Sequence, residues 1–351
     1  LAIAVATCLL ARRSLLRVLG AFALLATLEA LIGLFQIGFR GASSLFILDY
    51  AGHARASGTF VNKNHYATFL AMALPLLVFR AAGQYSFFAH RNDTSALSNV
   101  WWGIAAAFVA AALVASLSRA GVLAGGLTAA VAIALCARRM HWRSRRGALL
   151  ASVALALLAV GLASVAGLMP LMRSVTGGSF GDGASSRLLM NAHTWTGVTT
   201  FFPLGAGLGS YSIAFQRFQT PQLLGFVEYA HNDYLQLLFE TGAAGVGVLL
   251  LLLTSAYLAG RALWRARTKS ERLPAAVACY LGAMAFAIHA WFDFPSHIPA
   301  TAIVATLLFA ASMSNELLVV PRRKIVGKPT HAPLLRQPRA DPSPDGNPPA
   351  I

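Results

Sequence analysis

The chain has 351 residues, of which 57% are hydrophobic and only 11% are charged, and its mean hydropathy is positive. This balance excludes an ordinary soluble globular domain and is typical of a polytopic membrane protein. The net charge of +16 does not indicate nucleic-acid binding, because the basic residues lie between apolar segments and not on one face of a folded domain.

Apolar runs long enough to cross a hydrocarbon core follow one another along the chain, so the sequence predicts an all-α membrane fold. Each crossing takes about 20 helical residues. With a short apolar segment at 1–11, about nine transmembrane helices are visible. The sequence begins inside an apolar stretch without Met, so we expect its N-terminus to be truncated. The other predicted spans are 15–38, 65–82, 100–117, 121–137, 148–170, 232–259, 273–292 and 298–318.

The basic residues are unevenly divided between the loops on the two sides of the membrane. If successive spans cross the membrane in opposite directions, most of the 28 Lys and Arg residues lie on one side. These include the runs ARRMHWRSRRG and RALWRARTKSER. By the positive-inside rule this side is cytoplasmic. The other side contains two long loops, 39–64 and 171–230. We therefore predict a transmembrane domain at 1–318 and a cytoplasmic tail at 319–351, which is disordered because it is rich in Pro and charge.

The outer loop 171–230 is too long to be a simple connection, and loops of this length are usually functional or disordered. Its segment SSRLLMNAHTWTGVTTFFPLGAGLGSYSIAFQRF has aromatic residues at helical spacing, so we expect short helices lying on the membrane face. Ser185 or Ser186 would cap the first helix, and Pro203 with the glycines after it would end that helix in a tight turn. The cluster GAGLGS follows no strand and lacks a nucleotide-binding spacing, so we assign it no nucleotide.

In YAHNDYLQLLFETGAAGVGVLLLLL, polar residues stand at the start of a long apolar run, the mouth of the predicted span, where their burial in lipid would cost free energy. On one helix, Asn232, Asp233, Gln236 and Glu240 would share an arc of about 100°, with Glu240 roughly 13 Å below the mouth. Polar groups at that depth must face a cavity or other helices, so the lower two fit either a site wall or a structural hydrogen-bond network. His231, at the interface, can accept a proton near neutral pH and so activate a hydroxyl.

Several arginines remain on the outer side of the membrane. Arg119 in SLSRAG stands where a span reaches the outer face, and Arg187 opens the helix predicted in the long loop. An arginine guanidinium can donate two parallel hydrogen bonds to diphosphate oxygens, and it stays charged. Two arginines at one site would therefore neutralise a leaving diphosphate without a metal. The alternative is snorkelling to lipid headgroups, which fits Arg119 less well because its turn is short. Arg217, on the same loop as Arg187, joins the candidate substrate-binding residues.

Two further polar groups lie at outer turns. In GTFVNKNHYATFLAMALP, Lys63 and a helix N-terminus make a candidate anion site, whereas Asn62 or Asn64 can equally be a helix cap. The turn HAWFDFPSHIP contains Asp293 and His297 between two spans, and a structural turn is at least as plausible there as a ligand site.

No set of His and carboxylate residues has the spacing of a metal site, and the three cysteines show no pairing pattern. We therefore predict neither a metal nor a cofactor. Glu29 lies within a predicted span, where a charge is costly, so we interpret it as one half of an interior ion pair. Its candidate partners are His289 and Arg119.

In this order the motifs GTFVNKNHYATFLAMALP, SLSRAG, SSRLLMNAHTW, FPLGAGLGSY and AHNDYLQLLFETGAAG resemble the O-antigen ligase and polymerase superfamily of bacterial membrane glycosyltransferases. FDFPSHIPAT fits the closing segment of that family, and the resemblance covers about 55–312. It implies an inner-membrane enzyme that takes a glycan from undecaprenyl diphosphate on the periplasmic side. The glycan is joined to an acceptor hydroxyl, and in this family the acceptor is lipid A core, a growing polysaccharide or a protein.

The resemblance also assigns residues. The essential arginines of the family match Arg119 and Arg187, which would bind the diphosphate. The loop-end histidine of the family matches His231, which would activate the acceptor hydroxyl for direct, metal-independent displacement with inversion. The candidate substrate-binding residues are Asn62, Lys63, Asn64, Arg217, Asn232 and Asp233.

Several functions remain open at this point. O-antigen ligation to lipid A core is the first choice. A polymerase of O-antigen or exopolysaccharide and a protein O-oligosaccharyltransferase are alternatives within the same enzyme class. A transporter of an anion or of a lipid-linked intermediate is the alternative from another class. Transporters tend to have binding groups at the membrane midplane, whereas the charges here gather at the outer face.

Overall fold

The computed structural model describes residues 10–38, 55–87, 95–139, 179–223, 225–266, 273–314 and Leu317. Throughout these ranges the regular structure is helical, which confirms the all-α prediction. Some of the sequence predictions fall outside the described residues. These are the span 148–170, nearly all of the segment 1–11, the loop residues 39–54 and 171–178, and the tail 319–351.

The described ranges contain ten α-helices and two short 3-10 helices. In chain order they are α1 (Arg12–Gly38), α2 (Lys63–Ala81), α3 (Ala96–Ala115), α4 (Arg119–Arg139), α5 (Ser179–Phe201), α6 (Tyr211–Ala214), the 3-10 helix Phe215–Phe218, α7 (Asp233–Thr241), α8 (Ala243–Ala266), α9 (Leu273–His289), the 3-10 helix Pro295–His297, and α10 (Pro299–Ser312).

Helix α2 is the centre of the bundle. It is buried along nearly its whole length and packs against α1, α3, α4, α9 and α10. Small residues make this close approach possible, as is usual between membrane helices. A side chain at Gly282 of α9 would collide with the backbone of Met72, and one at Gly125 of α4 would crowd Ala71. Lys63 begins this central helix, and its side chain reaches the turn between α3 and α4.

Four described helices are long and apolar enough to cross a membrane. The least covered is α8, in which only 11% of the most apolar window is buried, and its leucines at 250–253 are exposed. This exposure is expected of a helix that faces lipid. The total of about nine spans stays a prediction. The four helices are Arg13–Ile37, Ala96–Ala115, Arg119–Arg138 and Ala243–Ala266.

The predicted continuous span 232–259 is wrong, because the helix breaks at Gly242. Helix α7 ends at Thr241, and Gly242 has a φ of 55°, in the left-handed region that favours glycine. The cause is a close approach by the outer loop: the Ala243 amide donates to the carbonyl of Pro203 at 2.8 Å. A Cβ at Gly242 would collide with that same carbonyl.

The long loop forms helices, but the first has 23 residues and is therefore not short, and it begins earlier than predicted. Helix α5 starts at Ser179, so the expected cap at Ser185 or Ser186 is wrong. The end of the helix is as predicted, since α5 stops at Phe201 and the chain turns through Pro203 and three glycines of positive φ. A separate small core, with Met190, Tyr211, Phe215 and Phe239 among its members, packs α5 and α6 against α7.

Glu29 of α1 was expected in an ion pair, but its contacts are hydrogen bonds. Its carboxylate accepts from the Thr59 amide at 2.9 Å and from the Thr59 hydroxyl at 2.6 Å. The expected partner His289 instead shares a hydrogen bond of 2.9 Å with Thr68. A carboxylate can satisfy its lone pairs with neutral donors, so no buried cation is required.

Candidate functional site

The turn after α9 brings two distant residues together. Asp293 is almost completely buried, and its Oδ1 lies 3.0 Å from Nδ1 of His231. Its Oδ2 lies 3.9 Å from Nη2 of Arg187, and Nη1 of the same arginine donates to the carbonyl of Phe292 at 3.2 Å. Two of the three predicted catalytic residues, His231 and Arg187, are therefore joined by a carboxylate that the sequence analysis left in a structural turn.

Asp293 carries a negative charge at any ordinary pH. Burial by itself would raise its pKa, but the hydrogen bond and charge of His231, with the charge of Arg187, lower that pKa to about 2. An ionised carboxylate only accepts hydrogen bonds, so Nδ1 of His231 carries the hydrogen between them. In the neutral imidazole the other ring nitrogen, Nε2, then has a free lone pair, and the side chain is 28% exposed. This arrangement suits a proton acceptor.

The backbone of His231 is held in an uncommon conformation. Its φ is 51°, a region that costs a residue with a side chain about 1–2 kcal/mol. The residues on either side are fixed by hydrogen bonds: the Ala230 amide donates to Oε1 of Gln236 at 3.0 Å, and the Asp233 amide donates to the carbonyl of Ala290 at 2.9 Å. These two bonds hold the imidazole where it meets Asp293.

The ring of Phe294 supports the imidazole from the side. It stacks on Tyr229 with a centroid distance of 4.2 Å and an interplanar angle of 16°. Its edge contacts are T-shaped, at 5.0 Å to the ring of His231 and 4.8 Å to the ring of His65. Such geometries are favourable for aromatic pairs and fix ring orientation.

Lys63 lies close enough to three arginines to be affected by their charge. Its Nζ donates to the carbonyl of Leu117 at 2.9 Å, and Leu117 has a φ of 54° in the short turn before α4. Burial is the largest of the causes that lower the pKa of Lys63 to about 8. Further lowering comes from three positive neighbours, which are Arg55, Arg187 and Arg119.

Arg119 and Arg187 are thus both close enough to act on the charge of one lysine. Together with Lys63 and Arg55 they form what we term the basic cluster. Arg55 was not among the predicted site residues; its only signal in the sequence was being a cation on the outer side. Burial and the three arginines together lower the pKa of Lys63, and a group of cations of this kind is a candidate anion site.

Asp233 has a structural role in the fold. Its Oδ1 pairs with Nδ1 of His297 at 3.0 Å, and its Oδ2 accepts from the Ser296 amide at 2.9 Å. The hydrogen bond with Asp233 raises the pKa of His297 despite the opposing effect of burial. Both of its oxygens tie α7 to the turn that contains Asp293, and the binding of substrate by Asp233 stays a prediction.

Gln236 and Glu240 form a structural network and not a cavity wall. The Oε2 of Glu240 accepts from the Gly209 amide at 2.9 Å and its Oε1 from the Tyr211 amide at 3.3 Å. Nε2 of Gln236 donates to the same Oε1 at 3.2 Å. Glu240 lies on α7, just before the break at Gly242, and its carboxylate holds the glycine turn of the loop. A turn whose amides already bind a carboxylate is not free to bind phosphate.

The predicted substrate-binding asparagines lie at helix starts. Oδ1 of Asn62 caps α2 by accepting from the Asn64 amide at 2.8 Å, and Oδ1 of Asn232 caps α7. Asn64 is buried, and its carbonyl accepts from the Thr68 hydroxyl. Arg217 is exposed on a 3-10 helix of the loop, and within the described residues no hydrogen bond or ion pair joins it to the basic cluster.

No group of three metal-ligating side chains is found in the part of the chain that the structure describes. The absence of a metal from the reaction accordingly stays a prediction.

Comparison with known proteins gives one family. Residues 104–250 match the family model of the O-antigen ligase, and this confirms the resemblance to the O-antigen ligase superfamily. The matched segment contains Arg119, Arg187 and His231, whereas Lys63 and Asp293 lie on either side of it. A search of the curated proteins finds no match. The family and the spanning helices indicate a membrane glycosyltransferase of the O-antigen ligase or polymerase type, with a lipid-linked glycan and an acceptor as partners.

Proposed function

Taking the O-antigen ligase match of residues 104–250 as the premise, we propose that this chain transfers a glycan from undecaprenyl diphosphate to an acceptor hydroxyl on the periplasmic side of the inner membrane. Lipid A core is the preferred acceptor, which makes the chain an O-antigen ligase. The proposed topology is about nine spans over residues 1–318, with the C-terminal tail in the cytoplasm. The observation that carries the proposal is the contact of His231 and Arg187 with the single carboxylate of Asp293.

The proposed reaction begins at Nε2 of His231. This atom takes the proton of the acceptor hydroxyl while the hydroxyl oxygen attacks the anomeric carbon of the glycan. A bond forms between that oxygen and the carbon, and the bond from the carbon to the diphosphate oxygen breaks on the opposite face. The bonding electrons leave with undecaprenyl diphosphate, so the anomeric configuration inverts. Asp293 stabilises the imidazolium that results, as an orienting carboxylate does in other His-dependent sites.

In the proposed reaction the basic cluster stabilises the negative charge of the leaving diphosphate. The charges of Arg119 and Arg187 both act on Lys63. Positive groups fixed in advance around the developing diphosphate charge stabilise the transition state without a reorganisation cost. Arg187 keeps donors available for this role, because the Phe292 carbonyl accepts from only one of its five N–H groups.

The other members of the enzyme class share the donor, and so they share this site. A polymerase or a protein O-oligosaccharyltransferase would differ in the acceptor, which the outer loop would select. For a transporter we would expect binding groups near the midplane, whereas the described charges that act on Lys63 gather at the outer end of α2.

The test uses the full chain in lipid nanodiscs with an undecaprenyl-diphosphate-linked glycan and lipid A core. We expect His231→Asn and Arg187→Ala each to lower the rate of transfer by about 10²-fold or more. Asn tolerates the positive φ of residue 231, so the first variant removes the imidazole and keeps the backbone. The matched control is Arg261→Ala, an exposed arginine near the other end of α8, which should transfer at the normal rate.

Three outcomes separate the alternatives. Normal transfer by both site variants would exclude the proposed mechanism. Transfer to a growing glycan or to a protein, but not to lipid A core, would identify one of the other enzymes of the class. Flux of the donor into sealed vesicles with no covalent product would favour a transporter.

A further inference from the structure

The turn between α5 and α6 exposes large apolar side chains. Leu204 is 85% exposed and Leu208 is 82% exposed, and they stand on either side of Gly205 and Gly207. Phe202, just before them, is 56% exposed. A contiguous apolar surface of this kind on a folded loop marks a binding surface.

This turn is bonded to the outer end of a lipid-facing helix. The amides of Ala206 and Gly207 donate at 2.9 Å to the carbonyls of Phe239 and Glu240, at the end of α7. The Ala243 amide, the first of α8, donates to Pro203 in the turn. Leu204 and Leu208 are therefore fixed beside the point where α8, the least covered of the four spanning helices, begins.

An apolar groove continues the same surface down to α8. Its volume is about 270 Å³, and α5 supplies one wall with Trp195, Val198 and Phe202. The other wall comes from the junction of α7 and α8, with Leu238 and Val246. One helical turn after Val246, the run of exposed leucines at 250–253 begins on the same helix. Exposed apolar side chains therefore occur on the turn, in the groove and on α8.

The backbone of the turn is suited to an apolar environment. Polar backbone groups cannot enter lipid unless they are hydrogen-bonded within the protein. The amides of Gly205, Ala206 and Gly207 donate to backbone carbonyls, and the Gly209 amide donates to the carboxylate of Glu240. These four amides of the turn are therefore satisfied within the protein.

We propose that the turn and the groove form a membrane anchor for the outer loop, in which Leu204, Leu208 and Phe202 insert into the outer leaflet of the surrounding bilayer. An acyl chain of a bilayer lipid occupies the groove. Trp195, 54% exposed at the rim, has the amphipathic ring that favours the level of the headgroups. The anchor holds α5, and with it Arg187, at a fixed height above the membrane. It is independent of the reaction that the site catalyses.

The test places a nitroxide label at Leu204→Cys and, separately, at Leu208→Cys in the full chain. The chain is reconstituted in vesicles of phosphatidylcholine and phosphatidylglycerol, and the unsubstituted chain gives the labelling background. Both positions are highly exposed, so the label replaces no packing contact. The matched control is Glu228→Cys, an exposed polar position of the same loop. Collision of the label with oxygen, which concentrates in lipid, is compared with collision with a water-soluble nickel chelate.

We expect the labels at 204 and 208 to collide several-fold more with oxygen than with the chelate, and the label at 228 to show the opposite preference. Equal preference at all three positions would place the turn in water and overturn the proposal. Protection of 204 and 208 from both reagents would mean that protein covers the surface, and this would overturn it as well. Neither readout depends on glycan transfer, so failure of the anchor and failure of the proposed function are distinguishable.

Discussion

Asp293 lies 3.0 Å from the ring nitrogen Nδ1 of His231 and 3.9 Å from Nη2 of Arg187. The candidate base and a candidate diphosphate ligand therefore share one buried negative charge. Inverting displacement requires the attacking oxygen and the leaving oxygen to lie on opposite sides of one carbon. A common carboxylate fixes the two groups that serve these oxygens relative to each other, and geometry held in this way can supply much of a rate enhancement.

The first prediction concerns the charge of Asp293. In Asp293→Asn the side chain keeps its shape, but the imidazolium loses its anionic partner and the tautomer of His231 is no longer fixed. We expect kcat for transfer to fall by about 10²-fold to 10⁴-fold. The check is single-turnover transfer in nanodiscs together with thermal unfolding. A kcat within twofold of the unsubstituted chain would show that Asp293 is only structural.

The second prediction concerns pH. Lys63 has its pKa lowered to about 8, so it is charged below this pH and loses its charge as the pH rises through it. Binding of an isoprenyl diphosphate should therefore weaken between pH 7.5 and pH 9.5, roughly tenfold per unit once the pH exceeds the pKa of the free site. The measurement is the Kd by calorimetry at several pH values.

The control for this effect is Lys63→Arg, because a guanidinium stays charged over this range. Titration of the ligand affects the Kd of both proteins equally, so the difference between their pH dependences reports on Lys63 alone. If the unsubstituted chain and the variant showed the same pH dependence, Lys63 would not contact the diphosphate.

The third prediction concerns Gln236 as a positioning residue. In Gln236→Leu the buried Ala230 amide loses its acceptor, at a cost of about 1–3 kcal/mol, and the backbone at His231 is freed. We expect kcat to fall while KM for the donor changes little, since the basic cluster is intact. The exposed Gln222→Leu is the control. An equal loss in kcat and rise in KM would point instead to general disruption of the loop.

The fourth prediction concerns the helix break. In Gly242→Ala the new Cβ meets the carbonyl of Pro203, and the residue is forced to keep a φ of 55°. We expect a loss of at least about 1–2 kcal/mol in stability from the backbone conformation alone. Gly247→Ala, in the same stretch of α8 and with open space around its Cβ position, should be neutral or slightly stabilising because Ala favours helix. Equal melting temperatures for the two variants would contradict this account of the break.

Much of the helical bundle could be predicted from sequence because apolar length decides it. Most of the described helices begin and end within a few residues of the apolar runs predicted for them; the exceptions are the run that Gly242 breaks and the last helix, which ends at Ser312. That break depends on the approach of Pro203 from a distant part of the chain, and a hydropathy pattern does not contain this information. Glu29 was misassigned for a related reason, since its partner Thr59 is neutral and gives no charge pattern to detect.

Some residues of the candidate site could be predicted from the sequence and others could not. His231, Arg119 and Arg187 could be singled out because charged groups at the outer ends of apolar runs are unusual. Asp293 could be noticed but not assigned, because its role depends on contact with residues that are far away in sequence. Asn232 and Asp233 stand next to His231, yet they serve as a helix cap and a packing carboxylate, which adjacency alone does not reveal.

The central claim is that His231 activates an acceptor for inverting displacement of undecaprenyl diphosphate held by Arg187 and Arg119. The most direct measurement is NMR of the product linkage in a reaction of purified chain, defined lipid-linked glycan and lipid A core. We expect the anomeric configuration opposite to that of the donor, one undecaprenyl diphosphate released per linkage, and no product above background with His231→Asn. Retention of configuration, or normal product formation by His231→Asn, would contradict the mechanism.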